Sequence, residues 1–203
     1  MAEEGSRMPE VGSRPAIRAI QTQNLLRLSR DLPAEQLAAF EQRVDGSTVE
    51  SALSARPMSW VAMGEHMHLC EALWALVGRD PFVDLFRATF VRSMSNPMLQ
   101  GIFGLIRKVS PNSVAMLLRN ASRIYGHVTR DVGQLRYSPG EDRGGVLTMS
   151  GWPSAQFDFD CWLDGTRGAV LGALEGVGAR ASAEVAIEDR DEAAGLATYR
   201  VRW

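Results

Sequence analysis

The fold of this 203-residue chain is decided by residues 161–176, which read CWLDGTRGAVLGALEG. Apolar side chains recur here at spacings of three and four, which predicts an amphipathic helix. Glycine costs a helix about 1 kcal/mol per position relative to alanine, so the four glycines need a packing reason. We predict that they form a smooth face against which another backbone packs, from the sheet, a neighbouring helix or a second subunit. They are Gly165, Gly168, Gly172 and Gly176.

Strand patterns flank this helix on both sides. After it, apolar residues occupy every second position of 183–187 and of 197–203. Before it, residues 132–137 and 146–149 form a second pair of strand patterns. Alternation of this kind is typical of half-buried antiparallel strands. We therefore predict a four-stranded antiparallel sheet, with the long glycine-striped helix between its two hairpins.

The N-terminal half has helical periodicity instead. Apolar stripes and capping residues predict a short turn of helix at 47–50 and helices over 15–30, 33–44, 60–77, from 80 onward, 98–109 and 111–126. Asp80 before Pro81 is typical of a helix start, and Gly78 of a helix end. Because helices come first and strands later, the predicted class is α+β. Residues 1–14 lack periodicity and are predicted to be disordered, so that 15–203 form one domain.

Composition and charge restrict the class of protein. Hydrophobic residues make up 45% and charged residues 23% of the chain, as in soluble globular proteins. The formal net charge is −2, which does not favour a nucleic-acid-binding surface. No apolar run reaches the roughly 18–20 residues of a membrane span, and the acidic, polar start is unlike a secretory signal. We expect a cytoplasmic protein without nucleic-acid partners, and the two distant cysteines fit a reducing compartment.

Residues 98–109 are apolar on nearly every side of the predicted helix. A helix of this kind must be covered all round or present a functional surface. We predict that it meets the aromatic side chains of the helix from 80, together with Met63, Met67 and Trp74 of the 60–77 helix. These groups are expected to surround a pocket of a few hundred Å³ or to form an apolar interface. The side chains expected nearest a small apolar ligand or a protein partner are Phe86, Phe90, Ile102, Phe103 and Ile106. Ordinary core packing is the alternative interpretation.

The groups that would suit a metal ion each have a structural interpretation. His66 and Cys70 lie one helical turn apart, but two protein ligands do not make a zinc site, so we expect core packing. Asp158, Asp160 and Asp164 suit either a metal ion or the N-terminus of the glycine-striped helix, and we favour the helix terminus. No catalytic motif is present, so we expect no enzyme activity, and no metal or other cofactor.

The order of these elements, together with residues 161–165, 172–176 and 199–203, resembles a known superfamily. It comprises the 4-vinyl-reductase sensor domains, the haem-dependent nitric-oxide-binding domains and the TRAPP trafficking subunits. Over residues 15–203 the chain looks closest to an uncharacterised family of bacterial proteins of about this length. The resemblance implies helices followed by strand, strand, long helix, strand, strand. The last hairpin lacks the cysteine motif of the sensor domains, and the chain lacks the Tyr-x-Ser-x-Arg motif of the haem-binding branch.

The resemblance and the apolar 98–109 segment lead to two hypotheses. The first is a non-enzymatic cytoplasmic sensory or regulatory module that binds a small apolar ligand between helices and sheet. The second is a protein-interaction module in which the same scaffold forms a homodimer or joins a larger complex without a ligand. Native mass spectrometry distinguishes them, because only the first predicts a co-purified small molecule.

Overall fold

The computed structural model describes residues 14–95, 100–101, 103–106, 113–141, 143–179 and 183–203. Its helices are α1 (Ala19–Ser29), α2 (Ala34–Arg43), α3 (Gly46–Ser54), α4 (Met63–Val77), α5 (Arg79–Ser93), α6 (Ser113–Arg119), α7 (Ala121–Val128) and α8 (Phe159–Gly176), and 100–101 and 103–106 are also helical. Its strands are β1 (Ala16–Arg18), β2 (Trp60–Ala62), β3 (Thr129–Arg130), β4 (Gln134–Pro139), β5 (Gly144–Ser150), β6 (Glu184–Asp191) and β7 (Leu196–Arg202). None of the helices in these ranges combines the length and apolar character that a membrane span requires. The segment predicted to be disordered, apart from Arg14, lies outside the described residues.

A four-stranded antiparallel sheet in the order β4-β5-β7-β6 forms the C-terminal half. Leu147 of β5 lies opposite Tyr199 of β7, and both side chains are fully buried. α8 connects the two hairpins and packs on this buried face, where the Tyr199 hydroxyl donates a 3.3 Å hydrogen bond to Leu163 O. Arg167 Nε also donates to Val185 O, over 2.8 Å. The predicted α+β class, with helices first and this sheet second, is confirmed.

α5 packs against α8 where the glycines of α8 lie. A Cβ added to Gly168 would overlap the backbone carbonyl of Val83, and a Cβ on Gly172 would lie 2.6 Å from the carbonyl oxygen of Arg87. We call these two backbone contacts the glycine seam. They are possible only because α8 has no side chain at either position. The close partner of the glycine face is therefore a neighbouring helix.

The other two glycines of the stripe face side chains instead of backbone. A Cβ on Gly165 would lie 3.1 Å from an edge carbon of the Phe86 ring. A Cβ on Gly176 would overlap the end of the Met94 side chain, which is flexible and can move aside. The stripe is thus least tolerant of substitution in its middle, at the glycine seam.

A second sheet, in the order β2-β1-β3, replaces the starts of two predicted helices. α1 and α4 each begin after a three-residue strand, because Ala16–Arg18 and Trp60–Ala62 pair with each other in antiparallel register. The guanidinium of Arg18 stacks over the Trp60 ring, 3.6 Å from its centroid, and fixes this pairing. Three residues are too few for an alternating pattern to be told from a first helical turn.

Three helix boundaries in the N-terminal half also differ from the sequence prediction. α3 is capped by Asp45, whose carboxylate accepts from the backbone N–H two residues on. α5 begins directly after Gly78, so Asp80 lies in its first turn and not at its cap. The predicted 111–126 helix is two helices, α6 and α7, which meet at Asn120. Each signal was close to a real boundary, but packing decides which of the neighbouring residues begins or ends the helix.

Candidate functional site: an apolar cavity

An apolar cavity of about 110 Å³ lies between the helices and the sheet. α5 forms one wall, α6 and α7 a second and α8 a third, and side chains from β4 and β5 form the floor. Most of the lining is hydrocarbon, and it includes Phe86, Phe90, Leu117, Ile124, Leu135 and Val170. This position, between helices and sheet, is where the first hypothesis places a ligand.

The predicted ligand residues are divided between the cavity and the core behind it. Phe86 and Phe90 of α5 line the cavity. Phe103 and Ile106 are buried but lie outside its lining, and the Phe103 ring packs edge-on against Phe90 with centroids 6.1 Å apart. Ile102 lies outside the described residues. The helical residues 103–106 therefore support the aromatic wall from behind.

The wall opposite Phe86 and Phe90 differs from the prediction. The cavity is also smaller than the few hundred Å³ that was expected. Met63 and Met67 of α4 are fully buried in the core but do not line the cavity. α8 contributes Trp162, Gly165 and Thr166 in their place. The glycine seam explains the difference, because it holds α8 so near α5 that α8 faces the aromatic side chains.

Two polar side chains in the lining, Gln21 of α1 and Thr89 of α5, are only 6% and 2% exposed. Neither Gln21 Nε2 nor Thr89 Oγ1 has a hydrogen-bond partner among the described residues. Ser93 Oγ lies 3.2 Å from Gln21 Oε1 and 2.8 Å from Thr89 O, so it holds the two residues together. Folded proteins leave few buried polar groups unpaired. Both atoms are fully buried, so the surface that the cavity presents is apolar even beside these two residues.

Gln21 is the candidate residue that sequence reasoning missed. Ile20 and Leu28 are two of the apolar residues behind the helix predicted over 15–30, yet both are partly exposed. The polar run at 21–24, which reads QTQN, is buried instead. Asn24 Nδ2 donates to Ser93 Oγ over 2.9 Å, which is one of the contacts that make this burial possible. A polar run in mid-helix was the available signal, but its burial depends on partners distant in sequence.

Two more polar atoms of the lining, Trp162 Nε1 and Thr166 Oγ1, also lack a partner at hydrogen-bond distance and angle within the described ranges. Each lies beside a tyrosine hydroxyl, that of Tyr125 for Trp162 and that of Tyr199 for Thr166. Burial raises the pKa of both phenols, so both hydroxyls stay protonated. These two atoms therefore have a polar neighbour within the protein.

His66 and Cys70 of α4 belong to a buried cluster with Thr22. His66 Nδ1 lies 3.0 Å from Thr22 Oγ1, and Nε2 lies 3.3 Å from Cys70 Sγ. Burial lowers the pKa of His66 to about 4 and raises the pKa of Cys70, so both groups are neutral at pH 7. In the part of the chain that the structure describes, no group of three or more His, Cys, Asp or Glu side chains is arranged to hold a metal ion.

The three aspartates around the start of α8 have separate partners. Asp158 caps the helix by accepting from Cys161 N over 2.7 Å. The carboxylate of Asp160 pairs with Arg190. Asp164 is fully buried and accepts from Trp74 Nε1 and Arg79 Nε, both over 2.9 Å. The carboxylates are thus committed to capping and ion pairs and do not converge on one point.

The comparisons with known proteins place the fold in a recognised class. No protein-family profile matches the chain, and no curated relative is found. Solved structures of H-NOX (haem-NO-binding) domains do match. The Fe(II) unliganded H-NOX protein from K. algicida has a TM-score of 0.61 and 13% identity, covering 92% of this chain and 96% of that one. An oxygen-binding H-NOX domain related to soluble guanylate cyclases, in its oxygen complex, has a TM-score of 0.53 and 11% identity, over 91% and 93%.

This chain therefore has the fold of an H-NOX domain, with the order of elements that the resemblance implied. A Cs H-NOX mutant is similar as well, at 12% identity with a TM-score of 0.56 over 91% of this chain and 94% of that one. Identities this low establish the fold alone. The nearer resemblance to an uncharacterised bacterial family remains a prediction.

The residues around the cavity do not fit haem. All three histidines of the chain lie in the described ranges and none lines the cavity. His66, the buried one, has both ring nitrogens engaged. Tyr125, the phenol in the lining, donates to Val132 O over 3.1 Å and has a raised pKa, which disfavours a phenolate ligand to iron. The volume of about 110 Å³ is also far below the roughly 300–1,000 Å³ of sites for drug-sized molecules.

Proposed function

We propose that the protein is a non-enzymatic sensory or regulatory module that binds a small apolar ligand, and not haem, in the cavity between its helices and its sheet. The observation that carries the proposal is the apolar lining of that cavity, to which α5, α6, α7, α8 and the sheet all contribute. The similar solved structures include a haem protein with a distorted porphyrin and the oxygen complex of an H-NOX domain, so ligand binding by a protein with this fold has precedent.

The size of the cavity limits the ligand. An engineered apolar cavity of about 150 Å³ in another protein stays dry and binds benzene or xenon. At about 110 Å³, this cavity suits a molecule of about six non-hydrogen atoms or fewer. Such a ligand would stabilise the fold, because the side chains around an empty space lack contacts that a ligand restores.

The position of the cavity links ligand binding to the small sheet β2-β1-β3. Ile124, Tyr125 and Val128 of α7 line it, and α7 leads directly into β3 of the small sheet through Thr129. In this proposal, a ligand that fills the cavity sets the position of α7 and so of the small sheet. That sheet also contains β1, which precedes α1.

The alternative function, a protein-interaction module that forms a homodimer or joins a complex, has one observation in its favour. Leu105 is 58% exposed, and it is the exposed large hydrophobic side chain among the described residues. It lies in the helical residues 103–106, within the segment predicted to bear a functional surface. A Leu105→Asp variant would weaken self-association measured by sedimentation if this alternative holds, and would not change ligand binding.

Xenon tests the proposed function, because it enters apolar cavities without needing a polar group. In crystals of the full chain under xenon pressure, we expect a xenon atom between Phe86, Phe90 and Val170. Ala173→Leu places a larger side chain in the lining and should abolish this site. The matched control, Ala38→Leu on the exposed face of α2, should leave it intact. A wild-type crystal without xenon at this position would overturn the proposal.

A further inference from the structure

The shape of the cavity, as distinct from its volume, follows from the smallest residues in its wall. On α8 the lining includes Gly165, Ala169 and Ala173, each about one turn from the next. Glycine and alanine have no side chain that reaches outward, so the cavity runs close to the backbone of α8 at all three positions. At 1.5 Å per residue, Gly165 and Ala173 are about 12 Å apart along the helix axis. A round cavity of the same volume would be only about 6 Å across, so this cavity is elongated along α8.

The two phenylalanines of α5 lie near opposite ends of this length. The Phe86 ring lies beside Gly165, where an added Cβ would be 3.1 Å from it. Phe90 follows one turn later, and its Cβ would lie 3.1 Å from a Cβ added to Gly172, which precedes Ala173. α5 and α8 therefore run alongside each other past the cavity, with one phenylalanine near each end of it.

α7 borders the cavity over a similar length. Its lining residues extend from Ala121 to Val128, which is about 10 Å along the helix axis. Both of these side chains are short, so the cavity passes close to this helix as well. The space is thus a narrow passage between α7 and α8.

We propose that the ligand is an unbranched hydrocarbon chain of about four to six carbons, which lies extended along α8 between Gly165 and Ala173. The inference rests on the proposed function, since it requires that the cavity holds a ligand, and it adds the shape of that ligand. A branched molecule of equal volume would be too wide for the passage and would leave its ends without contacts.

The chemistry of the wall agrees with a plain hydrocarbon. The unpartnered polar atoms of Gln21 and Thr89 are fully buried behind the wall, so they offer a ligand no hydrogen bond. Among the described residues, no Asp, Glu, Lys, Arg or His side chain lines the cavity. An ion placed there would lose its hydration without a counter-charge, which is strongly unfavourable.

n-Pentane and 2,2-dimethylpropane test the shape, because these isomers have the same atoms and differ in branching. Their dissociation constants are measured by NMR titration of the full chain in sealed tubes. The branched isomer cannot place all its methyl groups in a narrow passage. Two methyl groups left without burial correspond to about a ten-fold weakening, so we expect n-pentane to bind about ten-fold more tightly.

Ala169→Val tests the length, because it narrows the passage at its midpoint. The affinity for n-pentane should fall about ten-fold, since the chain can no longer extend past this position. Xenon is a single atom and should still enter one of the two halves in crystals of the variant. The matched control, Ala38→Val on the exposed face of α2, should change the binding of neither probe. If Ala169→Val does not fold, the two isomers with the wild type decide the matter.

The outcomes separate the inference from the proposed function. Tighter binding of n-pentane than of its isomer, and its loss in Ala169→Val, support the inference. If 2,2-dimethylpropane binds as tightly, or folded Ala169→Val binds n-pentane as the wild type does, the cavity is a ligand site of another shape and the inference is overturned. If xenon enters but neither isomer binds, the inference fails and the proposed function stands. If xenon does not enter the wild type, both fail.

Discussion

α5 meets α8 in two different ways along its length. At the glycine seam, Gly168 and Gly172 bring backbone against backbone and leave no space. Beside it, around Phe86 and Phe90, the same pair of helices borders a cavity of about 110 Å³. The glycine seam therefore fixes the spacing of the two helices, and the larger side chains beside it, held at that spacing, leave a space between them. One contact gives stability and the other leaves room for a ligand.

The largest expected effect comes from filling the seam. Gly168→Leu forces a side chain into the carbonyl of Val83, and since backbone cannot move aside as a flexible side chain can, we expect a loss of about 3 kcal/mol or more in unfolding free energy. Urea denaturation monitored by circular dichroism measures it. The control is Gly126→Ala on α7, where a Cβ meets nothing within 4 Å, and which should stabilise by about 0.5–1 kcal/mol. A Gly168→Leu protein as stable as the wild type would mean that the helices are not held by this seam.

The second effect is the dependence of stability on pH that the buried side chain of His66 produces. Burial lowers the pKa of His66 from 6.5 to about 4, so the unfolded chain binds the proton more readily than the folded chain. Stability contributed by the neutral ring is present above pH 6.5 and is lost as the pH falls towards 4, by about 3 kcal/mol in all. Denaturation at pH 7 and pH 4 measures it. His66→Gln should reduce the difference in unfolding free energy between pH 7 and pH 4. If that difference is not reduced, groups other than His66 cause it.

The third effect compares two buried threonines. Thr22 Oγ1 is hydrogen bonded to His66, whereas Thr89 Oγ1 has no partner among the residues described. Thr22→Val should therefore destabilise the protein by about 1 kcal/mol, and Thr89→Val should stabilise the ligand-free protein by about 1 kcal/mol. Thermal unfolding of the two variants side by side gives both values. Destabilisation by Thr89→Val would show that its hydroxyl is satisfied in the free protein.

The C-terminal half could be predicted from the sequence because its signals are local and repeated. Alternation over 183–187 and 197–203, the hairpin before them and the glycine-striped helix each determine their own element. The α+β class follows from their order. The three-residue strands β1 and β2 could not be predicted, because they form by pairing with each other across more than forty residues of chain, and β1 also pairs with the distant β3.

The candidate site was predictable only in its aromatic part. Phe86 and Phe90 belong to an apolar stripe on α5, which the helical period reveals. Gln21 was not predictable, since a polar residue in a helix is ordinarily exposed. The wall from α8 also depends on tertiary geometry, because the distance between α5 and α8 follows from Gly168 and Gly172 and no local pattern gives it.

We propose that this chain, which has the fold of an H-NOX domain, binds a small neutral ligand in its cavity and does not bind haem. Titration of haemin into the purified full chain, followed by visible absorption spectroscopy, is the decisive test. We predict no saturable one-to-one complex with the sharp Soret band of an axially ligated haem. A saturable complex with that band, lost on replacing a histidine by alanine, would contradict the account.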